Sequence, residues 1–230
     1  MITRDLYLGM ALLLSSCAGA GPPAYAHEPG DGPTTSPVRL KCGTTVASGT
    51  MAEGGGSMLT AAHFVRRCQE TSEPITVLGF PDDAWTAPAS YVNDFADVAV
   101  LGDYVATYGR GTLLSTWDCS REAGTPYKDL LFAVGYPNGT EYDVIASGSF
   151  KENAGEYLAH VEGFAYGGMS GAPVYDDVGR TVGMVVATNL KEGHFTMVRA
   201  DAVCALIAQA DELFQAGIKK IDMKRVSAKE

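Results

Sequence analysis

Basic residues are scarce in this chain. Lys and Arg total 17 against 27 Asp and Glu, a formal net charge of −10. Phosphate binding needs a basic surface, so a general nucleic-acid binder is excluded. The basic residues that do gather, in KKIDMKR (219–225), read as a solvated polar tail over 219–230. No C-x-x-C occurs, which removes a zinc ribbon, and neither a metal nor a cofactor is expected. The apolar run at the N-terminus, LYLGMALLL (6–14), is too short to span a bilayer comfortably. No internal repeat is legible.

That short run has the form of an export signal, with Arg4 ahead of it. Two cleavage sites compete. LSSC, ending at Cys17, looks like the lipobox of bacterial lipoproteins, in which the cysteine is acylated; Ala24-Tyr25-Ala26 is an A-x-A site for ordinary signal peptidase. The lipobox is favoured, giving a signal over 1–17 and a possible membrane tether through Cys17. Residues 18–37 are rich in Gly, Pro and Ala without apolar period and read as a flexible linker. Beyond Cys17 four cysteines remain, Cys42, Cys68, Cys119 and Cys204. An even number in an oxidising compartment suggests two disulfides, with three pairings open.

The 230 residues are 46% hydrophobic and 19% charged, enough for one compact domain or two small ones sharing an interface. Glycine is abundant at 27, and tyrosine outnumbers phenylalanine 11 to 8. From residue 38 onward, short apolar stretches alternate with Gly, Pro, Asn and Asp. Examples are PITVLGF (74–80), ADVAVL (96–101), KDLLFAVGY (128–136), RTVGMVVAT (180–188) and HFTMVRA (194–200). This pattern predicts an all-β sandwich or barrel. One segment differs: Val203, Leu206, Ile207, Ala210, Leu213 and Phe214 follow helical spacing, with Asp201 as N-cap and Gly217 as stop. A C-terminal helix over about 201–217 is expected to dock on the barrel.

Three stretches carry chemistry. GGMSGAPV (167–174) surrounds Ser170 with glycines. Alone it is ordinary turn vocabulary. LTAAHF (59–64) carries the chain from a strand into a turn that presents His63. ADVAVL (96–101) sets Asp97 at the start of an otherwise apolar strand, where a carboxylate must be paired. Asp94 is the rival acid, in the more polar YVNDF, where it could be solvated. A serine hydroxyl needs a base to take its proton, and the base needs a third group to hold its tautomer. His63, Asp97 and Ser170 supply those roles, and the amides of Gly168 and Ser170 are the natural oxyanion donors.

Together these motifs resemble those of trypsin-like serine proteases of the chymotrypsin fold, in the form of a bacterial-type secreted member. The resemblance covers roughly residues 40–217, and GYPNG (135–139) resembles a turn of bacterial and phage-type members. It implies two six-stranded antiparallel Greek-key barrels, about 38–112 and 113–200, within a peptidase domain spanning 38–218. It further implies polypeptide substrates and a monomer. Its specificity pocket would have Phe164 at the base, with Val186, Ala187 and Thr188 as wall and Gly193 nearby. An apolar or small residue before the cleaved bond follows. His194 is read as a surface strand histidine rather than a contact for an acidic substrate group. Phe64 replaces the cysteine that usually follows the histidine, yet Cys68 is expected to reach Cys42 on a neighbouring strand. Cys119–Cys204 is the expected second bridge. Met169 stands where many animal members carry the aspartate that binds a newly cut N-terminus, so no such activation switch is expected, and no PDZ module is expected after the helix. Two other readings remain. One is a catalytically silent protease-fold module for binding or adhesion. The other is a non-peptide acyl hydrolase, disfavoured because GMSGA lacks the final Gly of G-x-S-x-G and His63 comes first in the chain.

Overall fold

The apolar alternation of 38–52 folds as a hairpin, β1 (Thr35–Cys42) and β2 (Thr45–Ala52), in register from Thr35↔Ala52 to Cys42↔Thr45. Gly43 opens its two-residue turn at φ +54°, the left-handed backbone that suits the twist of such a hairpin. β1 thus begins inside what reads in the sequence as linker. The computed structural model describes residues 35–52, 58–78, 85–86, 89–102, 117–122, 125–128, 130–140, 144–215 and 221–223. The signal, Cys17 and Gly217 lie outside the described residues.

The first sheet continues with β3 (Met58–Ala61), helix α1 (Ala62–Thr71), β4 (Thr76–Leu78), β5 (Trp85–Thr86), β6 (Ala89–Asn93) and β7 (Val98–Leu101). A final strand, β14 (Ile221–Met223), comes from the chain's end, and the order is β14-β6-β7-β3-β2-β1-β4-β5. β5 and β6 are consecutive in the chain. Thr86 and Ala89 are three Cα steps apart, about 11 Å at most. The chain therefore ties one edge of the sheet to β6, near the other edge, and draws the sheet into a ring. With β5 and β6 counted as halves of one strand, the ring has six antiparallel strands, and β14 lies parallel outside β6. Part of the stretch expected as a solvated tail is therefore paired backbone.

The second sheet is a closed barrel, β10-β13-β12-β11-β8-β9. Its strands are β8 (Leu130–Gly135), β9 (Val144–Ala154), β10 (Leu158–Gly163), β11 (Pro173–Tyr175), β12 (Thr181–Asn189) and β13 (His194–Arg199). All six pairings are antiparallel. The expected two-barrel, all-β architecture is what the chain adopts.

Each barrel has its own apolar filling. Leu40, Met58, Val77 and Leu101 belong to the first, and Leu131, Val161, Phe195 and Met197 to the second. A third cluster joins them. It brings Leu59 and Val100 of the first sheet together with Met184 and Val198 of the second, under Val203, Leu206 and Ile207 of the C-terminal helix, α2 (Ala200–Gln215). The helical stripe thus docks where the two barrels meet. Burying one such side chain stabilises by about 1.5–3 kcal/mol. Asp201 does not act as the expected N-cap. It sits in the first turn of α2, and its carboxylate receives Arg199 Nε and a terminal guanidinium nitrogen, both at 3.1 Å. Both expected disulfides are present, Cys42–Cys68 from β1 to α1 and Cys119–Cys204 from the inter-barrel segment to α2. Such bridges belong to an oxidising compartment.

Candidate active site

β3 and β7 pair antiparallel with Ala61 opposite Val98, so the end of one strand meets the start of the other. This places Asp97 beside the segment after Ala61. That segment is the first turn of α1, not the simple turn expected from LTAAHF, because Phe64, Val65 and Cys68 recur at helical spacing and are buried. Helix starts leave backbone N–H groups unpaired. The N-cap residue Ala61 has no side chain to satisfy them. Asp97 does so from the neighbouring strand. Its carbonyl accepts Ala62 N at 3.1 Å and its Oδ1 accepts His63 N at 2.8 Å. Its negative charge also sits favourably at the positive end of the helix. The second oxygen, Oδ2, lies 2.7 Å from His63 Nδ1.

Three bonds therefore fix backbone and ring together. Asp97 takes φ +56°, a left-handed conformation that Asp tolerates better than most residues. Asn93 Oδ1 holds the approach to it by accepting Phe95 N at 2.9 Å and Ala96 N at 3.2 Å. The ring of His63 remains reachable, its side chain 53% exposed against 27% for Asp97. The hydrogen bond to Asp97, and then the carboxylate charge, raise the His63 pKa above the ordinary histidine value, with burial opposing them. The rival acid, Asp94, is half-buried and engaged elsewhere. Arg66 grips it with two bonds, at 3.0 and 2.8 Å.

Ser170 lies in the loop between β10 and β11, and that loop is bonded to the first barrel at several points. Ser48 of β2 donates its N–H to Ser170 O at 2.9 Å and its hydroxyl to Gly168 O at 2.9 Å. The same hydroxyl accepts Tyr136 N at 2.9 Å. Thr50 Oγ1 donates to Gly171 O at 2.9 Å, and Thr60 Oγ1 donates to Ser48 O at 2.8 Å. Thr60 is three residues before His63, so hydrogen bonds that pass through Ser48 link β3 to the serine loop. From the other side, Asn138 N donates to Gly167 O at 2.6 Å.

The glycines are required by this closeness. Gly168 has φ +90°, and a Cβ there would stand 2.6 Å from Asn138 N. Gly171 has φ +91°, and a Cβ there would run into the Ser48 carbonyl oxygen. Met169 faces inward, wholly buried in the second barrel's core, with its sulfur 3.4 Å from Tyr166 N. Among the described residues, neither Gly168 N nor Ser170 N donates to another protein group. Ser48, Thr50 and Thr60 escaped the sequence reading, and GYPNG was noted without a role for Asn138. For the three hydroxyl residues the available signal was their place on apolar strands, where buried hydroxyls need partners.

The expected pocket residues lie on two neighbouring segments. Phe164 is 52% exposed, Val186 is buried, and Ala187 and Thr188 are exposed. Thr188 Oγ1 donates to Ala165 O at 2.8 Å, and Gly163 N donates to Gly193 O at 3.0 Å. His194 is not a surface histidine. It is only 5% exposed and stacks on His160 with ring centroids 4.4 Å apart. Among the described residues its Nδ1 has no hydrogen-bond partner, and Glu192 Oε2 lies 3.6 Å from it.

The trypsin-like peptidase domain model matches residues 47–184, more than half of the chain. No match is found among the curated proteins. Among solved structures, the Rv3671c protein of M. tuberculosis H37Rv, in an inactive serine-to-alanine form, superposes with TM-score 0.56 at 17% identity, over 77% of this chain and 87% of that one. The serine endoprotease from Yersinia pestis gives TM-score 0.61 at 17% identity, over 81% of this chain and 65% of that one. Deg5 gives TM-score 0.54 at 17% identity, over 75% and 87%. At such identities these likenesses speak for the fold, and the domain match speaks for the family: the chain belongs to the trypsin-like peptidase domain family.

Proposed function

We propose that this peptidase domain is an exported serine endopeptidase in which Ser170 is the nucleophile, His63 the general base and Asp97 the group that orients it. The observation that carries the reading is the double grip of Asp97 on His63, at backbone N–H and ring Nδ1. With Nδ1–H bound to the carboxylate, Nε2 is left as the acceptor that a base requires.

Ser170 Oγ loses its proton to His63 Nε2 as it forms a bond to the substrate carbonyl carbon. The carbonyl oxygen becomes an oxyanion that accepts hydrogen bonds from Gly168 N and Ser170 N. The imidazolium then gives its proton to the departing amine as the C–N bond breaks, leaving an acyl-enzyme. Water repeats the sequence and releases Ser170. The buried Met169 supports a loop held by apolar packing, with no aspartate awaiting a new N-terminus. Segments 163–168 and 186–193 flank the pocket for the side chain preceding the cleaved bond. The N-terminal 17 residues act as a lipoprotein-type signal, with Cys17 as the acylated residue, and the protein works as a monomer on polypeptides.

Labelling with a fluorophosphonate probe tests the assignment. Wild type is expected to label and Ser170→Ala is not. Labelling that persists in the mutant removes Ser170 as nucleophile, and a folded wild type that never labels points to a silent binding module.

A further inference from the structure

Two hydrogen bonds stitch together the segments assigned above as pocket walls. Thr188 Oγ1 reaches Ala165 O at 2.8 Å, and Gly163 N reaches Gly193 O at 3.0 Å. Ala165 is wholly buried and packs with the core of the second barrel. Across the strand pair, Thr188 lies opposite Phe195, which is also wholly buried. A slot that admits an aromatic ring or a guanidinium between two walls must be about 7 Å wide, two van der Waals separations of about 3.5 Å. Walls joined by a side-chain hydrogen bond do not leave that width. Phe164 lines no deep floor either, since its side chain stands half exposed.

We propose that Thr188 is a specificity-determining residue. Its hydroxyl straps β12 to the segment before the nucleophile and confines the residue preceding the cleaved bond to Gly, Ala or Ser. The inference rests on the endopeptidase reading and narrows its substrate class. A larger side chain must break the strap and leave the carbonyl of a wholly buried residue unpaired. That loss is expected to lower kcat/KM by about 10- to 100-fold. The strap lies at the end of β12, where Thr188 is exposed, so its removal leaves the barrel core intact.

The test uses full-length protein and matched peptides with Ala, Leu, Phe or Lys before the cleaved bond, with Ser170→Ala as the blank. Wild type is expected to prefer Ala over Leu by about tenfold or more. Thr188→Gly, which removes both strap and bulk, should lower that Ala/Leu ratio by about tenfold. Thr188→Ser keeps the hydroxyl and should hold the ratio within about threefold, and it decides the matter if the glycine variant does not fold. A wild-type preference for Leu, Phe or Lys overturns the inference, as does an unchanged ratio in a folded Thr188→Gly. If that cleavage still disappears in Ser170→Ala, the endopeptidase reading stands while the strap falls. Absence of both cleavage and probe labelling brings down the endopeptidase reading and the strap with it.

Discussion

Replacing Asp97 by Asn changes one atom and reverses one hydrogen bond. The carboxylate now accepts from both His63 N, at 2.8 Å, and His63 Nδ1, at 2.7 Å. An amide has a single acceptor oxygen. If that oxygen keeps the helix N–H, its NH2 group faces Nδ1 and forces the proton onto Nε2. The imidazole then presents a donor where the serine needs an acceptor. The expected loss is about 10⁴ in kcat, the size of this effect in the same triad chemistry elsewhere. The pH profile adds an independent readout. A neutral base is required, and Asp97 raises the His63 pKa, so the acid limb of kcat/KM should lie above the ordinary histidine range. In the variant the raising contributions vanish and burial still lowers the pKa, so the residual activity should have its acid limb at lower pH. Stability follows with definite sign. A raised histidine pKa contributes stability that is present below about pH 6.5 and lost as pH rises through the folded value, so the variant should lose more stability at pH 5 than at pH 8. Steady-state kinetics from pH 4 to 9 and thermal melts at the two pH values suffice. A variant that keeps a tenth of wild-type kcat, or whose acid limb moves upward, would falsify the role given to Asp97.

Gly168→Ala should abolish turnover while leaving a folded protein, because its φ of +90° and the 2.6 Å approach to Asn138 N leave no room for a Cβ without moving the oxyanion amide. Circular dichroism with probe labelling separates the two effects, and normal turnover would refute the amide assignment. Arg199→Met removes a guanidinium that is 4% exposed and binds Asp201 together with the Glu156 carbonyl at 2.7 Å. Leaving that carboxylate alone should cost about 3 kcal/mol, read from urea unfolding, and a change below about 0.5 kcal/mol would show the pair to be dispensable. Stepwise removal of residues before Thr35 should leave activity independent of which residue begins the chain. Activity that appears at one new N-terminus only would mean that an ion pair activates the loop after all.

The proposed triad of His63, Asp97 and Ser170 could be read from the sequence because each motif is local: a few neighbours single it out. The strands were legible for the same reason, as short apolar runs between turn residues. Helix α1 was not, because Ala61 and Ala62 read as spacers and the group that caps the helix comes from residue 97. Strands β5 and β6 were hidden by brevity and by the polar residues around Tyr91, and β14 by the lysines beside it. Ser48 is the clearest omission. Its partners from the second barrel lie at residues 136, 168 and 170. Nothing in TVASGTMA announces them, because only the docking of two barrels brings them within reach. His194 failed differently. It reads in the sequence as a surface strand histidine, but His160 packs against its ring and it is buried, and the sequence does not report what packs against a strand.

The joint at Ser48 has a consequence for how the protein comes into being. Ser48 and Gly168 are separated by 120 residues, so the loop receives its supports only after both halves of the chain have condensed. A fragment ending before residue 167 lacks the proposed nucleophile, Ser170, and one beginning after residue 50 lacks the braces that shape its loop. Hydrolytic capacity is thus a property of the finished molecule, and a chain caught midway through maturation carries no working blade.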